Sequence, residues 1–183
     1  FMTMSFRAMG KKLSQVRLSL GLITAPIFAN TAMANDNALL LQQATLTAKD
    51  AINTATSRVS GDVVDVGFDD DLGGVFELKV IRGNTKHDIE INAQTGNIIK
   101  HKQKRLDRSD RREYQAFKRA KISLDNAMER AIQAAGGGQV LAIEFDNNRQ
   151  LSLYEVKVVN DGLVLKISLR ADNGTILEQT LDD

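Results

Sequence analysis

Apolar residues recur along this chain in two periods that take turns. Ala48, Ala51, Ile52 and Ala55 fall on one face of a helix. Thr47 stands just before them and Asp50 three places after Thr47, the arrangement of a reciprocal N-cap. Gly61 follows as the expected helix stop. Period two then takes over. Val64, Val66 and Phe68 alternate with Asp65, Gly67 and Asp69, and Phe76-Glu77-Leu78-Lys79-Val80 and Ile89-Glu90-Ile91-Asn92-Ala93 follow. A turn at Gln94-Thr95-Gly96 leads to the apolar pair Ile98-Ile99. Such alternation marks antiparallel strands with one side buried.

The same succession returns further on. Ser123 takes the cap position, Leu124, Ala127, Met128 and Ala131 the helical face, and Gly136-Gly137-Gly138 the stop. Leu141, Ile143 and Phe145 alternate with Ala142, Glu144 and Asp146. Tyr154-Glu155-Val156-Lys157-Val158 matches the earlier Phe76 pentad place by place. Ile167 to Ala171, the turn Asp172-Asn173-Gly174 and the pair Ile176-Leu177 complete the series. The pattern predicts an α+β protein of two tandem helix-plus-antiparallel-meander units, each a helix packed on a small sheet. The expected boundaries are 35–99 and 122–183, joined by a basic, partly helical linker at 100–121. Units of roughly 60 residues have marginal cores, so they should pack on each other or continue one sheet.

Residues 1–34 differ from the rest. They carry Arg7, Lys11, Lys12 and Arg17 but no acid, then an apolar stretch from Leu18 to Phe28, then Ala32-Met33-Ala34. This is the three-part plan of a secretory signal peptide, with cleavage expected between Ala34 and Asn35. The apolar stretch is about half of the ~20 residues a membrane span requires. Export implies a periplasmic or secreted protein of bacterial type.

Composition narrows the chemistry. The chain of 183 residues has no Cys and two His, which removes disulfides, thiolate catalysis and Cys-built zinc sites. There is no His-x-x-x-His or HExxH spacing, no G-x-S-x-G elbow and no P-loop. Gly136–Gly138 follows a helix instead of preceding one, so it does not cradle phosphate. Asp69-Asp70-Asp71 lacks the spacing of a calcium loop and reads as a solvated turn. His87 shares the apolar side of its strand and His101 lies in a basic run. No catalytic residue, cofactor or metal site is therefore expected, and the chain is not read as an enzyme.

Charge supplies the sharpest surface feature. Between Lys100 and Lys121 there are ten Lys or Arg against Asp107, Asp110 and Glu113. Lys102, Lys104, Arg105, Arg108, Arg111 and Arg112 are the candidate contacts to an anionic partner. Nucleic acid is a poor fit, because stacking aromatics are not interleaved beyond Tyr114 and Phe117.

At these motifs the chain resembles the PepSY family, named for peptidase propeptides. The capped helix with a small-residue face, the glycine break, the aromatic-Glu-aliphatic-x-Val strand and the turn before a closing apolar pair are cleanest from Ser123 through Leu177. They are looser from Thr47 through Ile99, where Asn92-Ala93-Gln94-Thr95-Gly96 matches best. The resemblance implies a non-catalytic exported binding module with no functional residues to carry over. It points to a protein partner, such as an envelope or secreted protease inhibited in trans, or a sensor ectodomain. The alternative is a periplasmic sensing or lipid-binding accessory protein that uses the basic linker on an anionic membrane surface.

Overall fold

The computed structural model of the protein describes residues 36–148 and 151–182. Ala32, Ala34 and Asn35, with the expected signal segment, lie outside the described residues. In chain order the elements are α1 (Asp36–Gln43), α2 (Ala48–Arg58), β1 (Asp62–Asp69), β2 (Val75–Arg82), β3 (Thr85–Asn92) and β4 (Ile98–Arg105). There follow α3 (Arg108–Arg119), α4 (Leu124–Ala134), β5 (Gln139–Asn148), β6 (Leu151–Asn160), β7 (Leu163–Arg170) and β8 (Ile176–Leu181).

Local signals start each helix. The Thr47 hydroxyl accepts from the Asp50 amide at 3.2 Å, and the Asp50 carboxylate accepts from the Thr47 amide at 2.8 Å. Asp107 and Asp110 build the same reciprocal cap on α3. Ser123 caps α4 through the Asn126 amide. At the other end of α4, Gly137 donates to Ile132 and Gly136 to Gln133, with both glycines at positive φ. That is the left-handed closure only glycine adopts freely. Gly61 plays a different part from the one expected. Its φ is ordinary, and a Cβ there would lie 2.5 Å from the Ile81 carbonyl oxygen. Close backbone approach requires glycine there, whereas α2 itself ends at Arg58.

The strands form one antiparallel sheet of eight, in the order β4-β3-β2-β1-β5-β6-β7-β8. Of the two arrangements expected for the small units, packing on each other or continuing one sheet, the second is found, and the sheet is larger than either unit alone. Its two meanders meet along a short seam, where Asp65, Val66 and Gly67 pair with Glu144, Ile143 and Ala142. Register shifts recur at matching places. One falls between Val63 and Asp65 and another between Val140 and Ala142. A third falls between Glu90 and Ile91 and a fourth between Ser168 and Leu169.

Helices α2 and α4 cover one sheet face. Ala51, Ala55, Ala127 and Ala131 let them sit close on a core that includes Val66, Phe76, Ile89, Ile143, Tyr154, Val156 and Ile167. Each fully buried large side chain there contributes about 1.5–3 kcal/mol. Tyr154 is wholly buried, and its hydroxyl donates to the Ile122 carbonyl at 2.8 Å, which satisfies its one polar atom.

The stretch expected as a linker is structured throughout. Residues 100–105 continue β4, and Arg108–Arg119 is helix α3. Leu106 between them packs with Val64 and Ile81, and Tyr114 and Phe117 cover this small cluster. Phe117 also meets Phe145 edge-on at 5.3 Å. Helix α3 thus touches both meanders beside the seam. Helix α1, which the apolar pattern did not announce, also contacts β1 and β5.

Gly138 has φ of +106°, and a Cβ there would lie 2.1 Å from the Val159 carbonyl oxygen. Gly138→Ala is therefore expected to destabilise the protein by at least about 2 kcal/mol in urea unfolding. Gly67→Ala, facing open space in an extended strand, should leave the midpoint within about 0.5 kcal/mol of the parent.

Candidate functional site

The sheet face opposite α2 and α4 is polar, and strand pairing orders its charges into rows. One row crosses all eight strands as Lys102, Asp88, Lys79, Asp65, Glu144, Glu155, Ser168 and Glu178. The next reads Lys100, Glu90, Glu77, Gly67, Ala142, Lys157, Lys166 and Thr180. Opposite charges face each other across several rungs. Lys79 bonds to Asp65 at 2.7 Å, Lys166 to Glu155 at 3.0 Å, and Lys100 to Glu90. Lys157 reaches Asp182 at 2.6 Å. Around Gly67, which brings no side chain, the surface dips into an open depression of about 380 Å³.

Several rungs oppose like charges, and the carboxyls record it. Glu144 titrates above the usual carboxylate range because of burial and its neighbour Asp65 across the seam, with Lys79 opposing. Glu77 is raised by burial and then by Glu90 and Asp69. Glu113 on α3 is raised by burial, with Lys79 opposing and Asp146 adding to the shift. Asp62 is the contrary case. Burial pushes it up, but hydrogen bonds from the Tyr114 hydroxyl at 2.6 Å and from Lys118 at 3.0 Å outweigh burial and hold it low. Tyr114 itself is pushed up to about 12 by burial and by Asp62.

The six candidate cations fall on two elements. Lys102 and Lys104 lie on the polar side of β4, and Arg105 ends that strand. Arg108, Arg111 and Arg112 belong to α3. Arg111 donates to the Leu106 carbonyl at 2.8 Å and so helps hold the β4–α3 corner. Lys86 pairs with Asp110 at 2.8 Å and ties β3 to the same corner.

The two histidines meet. His87 is buried on the core side of β3, and its Nδ1 lies 2.9 Å from Nε2 of His101 on β4. Burial, then His101 and Arg82, lower the His87 pKa. The sequence had left His101 in a linker, so only the extension of β4 brings the rings together. The expected solvated turn at Asp69–Asp71 gathers three carboxylates with ligand atoms within 4.8 Å. Asp69 also accepts from the Asp71 amide at 3.0 Å. Three such oxygens fall short of the six to eight that calcium takes.

Residues 45–102 match the family PepSY, described as peptidase propeptide and YPEB domain. The matched stretch runs from just before the α2 cap into β4. The match falls on α2 and the first meander, where the sequence motifs were looser. No curated protein matches. Among solved structures, the chain is similar to the crystal structure of "a putative lipoprotein" from Clostridium difficile 630, at 22% identity and a TM-score of 0.49. That similarity covers 79% of this chain and 98% of the other. Among the described residues, no helix is long and apolar enough to cross a membrane.

Opposite pH dependences follow from these carboxyls. A raised acid weakens the folded state at neutral pH, and the penalty disappears as pH falls through its folded pKa. Glu144→Gln should therefore raise the urea midpoint at about pH 7, with the gain closing toward about pH 4. A lowered acid adds stability above its unfolded pKa that is lost on acidification. Asp62→Asn should accordingly lower the midpoint at about pH 7, by a margin that shrinks below about pH 4. In separate thermal melts, EDTA should leave the transition temperature unchanged; a fall would give the Asp69–Asp71 turn a structural ion.

Proposed function

We propose that the protein is an exported, non-catalytic binding module made of two PepSY-like units, with 122–183 the counterpart of 35–99. Its partner is another protein, an envelope or secreted protease or a sensor ectodomain, engaged in trans by occupying its surface. The observation that carries this reading is the PepSY match at 45–102 on a scaffold whose ionisable groups answer one another across an open sheet.

Duplication is supported by geometry that recurs at matched positions. Phe68 and Phe76 meet edge-on at 5.2 Å and 71°, and Phe145 and Tyr154 at 5.4 Å and 68°. The repeated register shifts and the repeated order of helix, helix and four strands agree with it. Protease regulation rests on the family's propeptide members, an argument by analogy.

The test is capture from bacterial envelope extract by the exported protein, at low and moderate salt. A specific protease whose activity falls when the pure protein is added, or a receptor ectodomain bound in a one-to-one complex, is the expected result. Capture of anionic lipid alone, lost in an Arg108→Gln/Arg111→Gln/Arg112→Gln variant, would replace the reading with membrane-surface binding. The amino terminus of the exported material should be Asn35; an uncleaved segment would overturn the soluble exported form.

A further inference from the structure

The two edges of the sheet are finished differently. β4 is an outermost strand, so its outward N–H and C=O groups have no strand beside them. Every residue from Ile99 to Arg105 is exposed. From Lys100 to Arg105 its register against β3 runs without interruption, from Glu90 opposite Lys100 to Thr85 opposite Arg105. This is a straight edge of the kind to which an extended segment adds.

Alternation fixes what such a segment must carry. Lys100, Lys102 and Lys104 share the open face, while His101, Gln103 and Arg105 point the other way. An added strand therefore meets an ammonium at every second residue, about 7 Å apart. Lys100 is held by Glu90. Among the described residues, no ion pair engages Lys102, Lys104 or Arg105. Their charge is available to a partner.

Lysine on an edge also discourages self-pairing, and here it selects. Two β4 edges brought together would set ammonium against ammonium. A strand with carboxylates at alternate positions would set opposite charges face to face, which favours cross-strand pairing. The other edge, β8, presents Glu178 and Thr180 on the open face, with Asp182 just beyond already engaged by Lys157. Its charges are acidic and largely answered from within the sheet.

We propose that the outer edge of β4 is the docking site for an extended acidic segment of a partner protein. The segment adds to the sheet as a further strand, with alternate carboxylates over Lys102 and Lys104. This rests on the protein-binding reading and names the surface and the chemistry of the partner.

The experiment uses the exported protein and a fluorescent peptide of alternating Glu and Val, with binding read by anisotropy. Binding is expected to weaken by about tenfold in Lys102→Glu/Lys104→Glu. Lys102→Gln/Lys104→Gln should give an intermediate loss with unchanged circular dichroism, which separates charge from folding. N-methylation of alternate peptide amides should abolish binding in one phase and spare it in the other, the signature of strand addition. Failure to bind, equal binding by an alternating Lys and Val peptide, or indifference to N-methylation in both phases would overturn the proposal. So would concentration-dependent oligomers dispersed by Lys102→Glu, which would give the edge to a second copy's β8. If an envelope partner still binds Lys102→Glu/Lys104→Glu undiminished, the docking edge falls while the protein-binding reading stands.

Discussion

The structure depends on a short seam. Only Asp65, Val66 and Gly67 pair with the second meander, through Ala142, Ile143 and Glu144. Three residue pairs give few hydrogen bonds, so backbone pairing alone holds the two meanders weakly together. Side chains do the rest. Val66 and Ile143 are completely buried beneath α2 and α4, and the small faces of those helices close over both at once. Helices α1 and α3 touch the strands on both sides of the seam. The continuous apolar layer thus makes one sheet of what the hydrogen bonds only tack together.

The polar face follows a different logic. With that side open to water, each ion pair across it is worth little on its own, at most about 1 kcal/mol. What the rows do accomplish is to leave few charges without an answer. Lys79, Lys100, Lys157 and Lys166 are each drawn to an acid on the same face. Where acids crowd, as at Glu144 beside Asp65 and Glu155, the carboxyl is pushed up instead. Such a surface suits recognition by shape and charge pattern.

Much of this was legible in the chain. Both helices α2 and α4, their caps and the buried side of most inner strands follow from periodicity, because each has one dry face and one wet one. β1 departs from it: the register shift between Val63 and Asp65 puts Val63 in the main core and sends Val64, which alternation had set beside Val66 and Phe68, to the small cluster with Ile81 and Leu106. β4 was legible only at Ile98 and Ile99. Past them His-Lys-Gln-Lys-Arg carries no apolar alternation, since an edge strand exposed along its length has none to carry. That one gap hid three further things: the diagonal contact of His87 with His101, the Lys100–Glu90 pair, and the division of the basic run between a strand and a helix. Tyr114 and Asp62 are 52 residues apart and could not be joined by local spacing. The charge count between Lys100 and Lys121 was sound as a count. Folding places Lys102 and Lys104 on a sheet face and sets Arg111 to holding the Leu106 carbonyl, neither of which the count could tell.

Helix α3 lies on the second side of the chain's midpoint, yet Tyr114 and Lys118 fasten Asp62, and Tyr114 and Phe117 roof Val64 and Ile81. The first meander is therefore finished by residues made after it. A polypeptide made amino end first holds that corner bare until the thirteen residues from Leu106 to Lys118 have followed β4. Completion of the early half waits on the late one, which ties the timing of folding to the direction of travel.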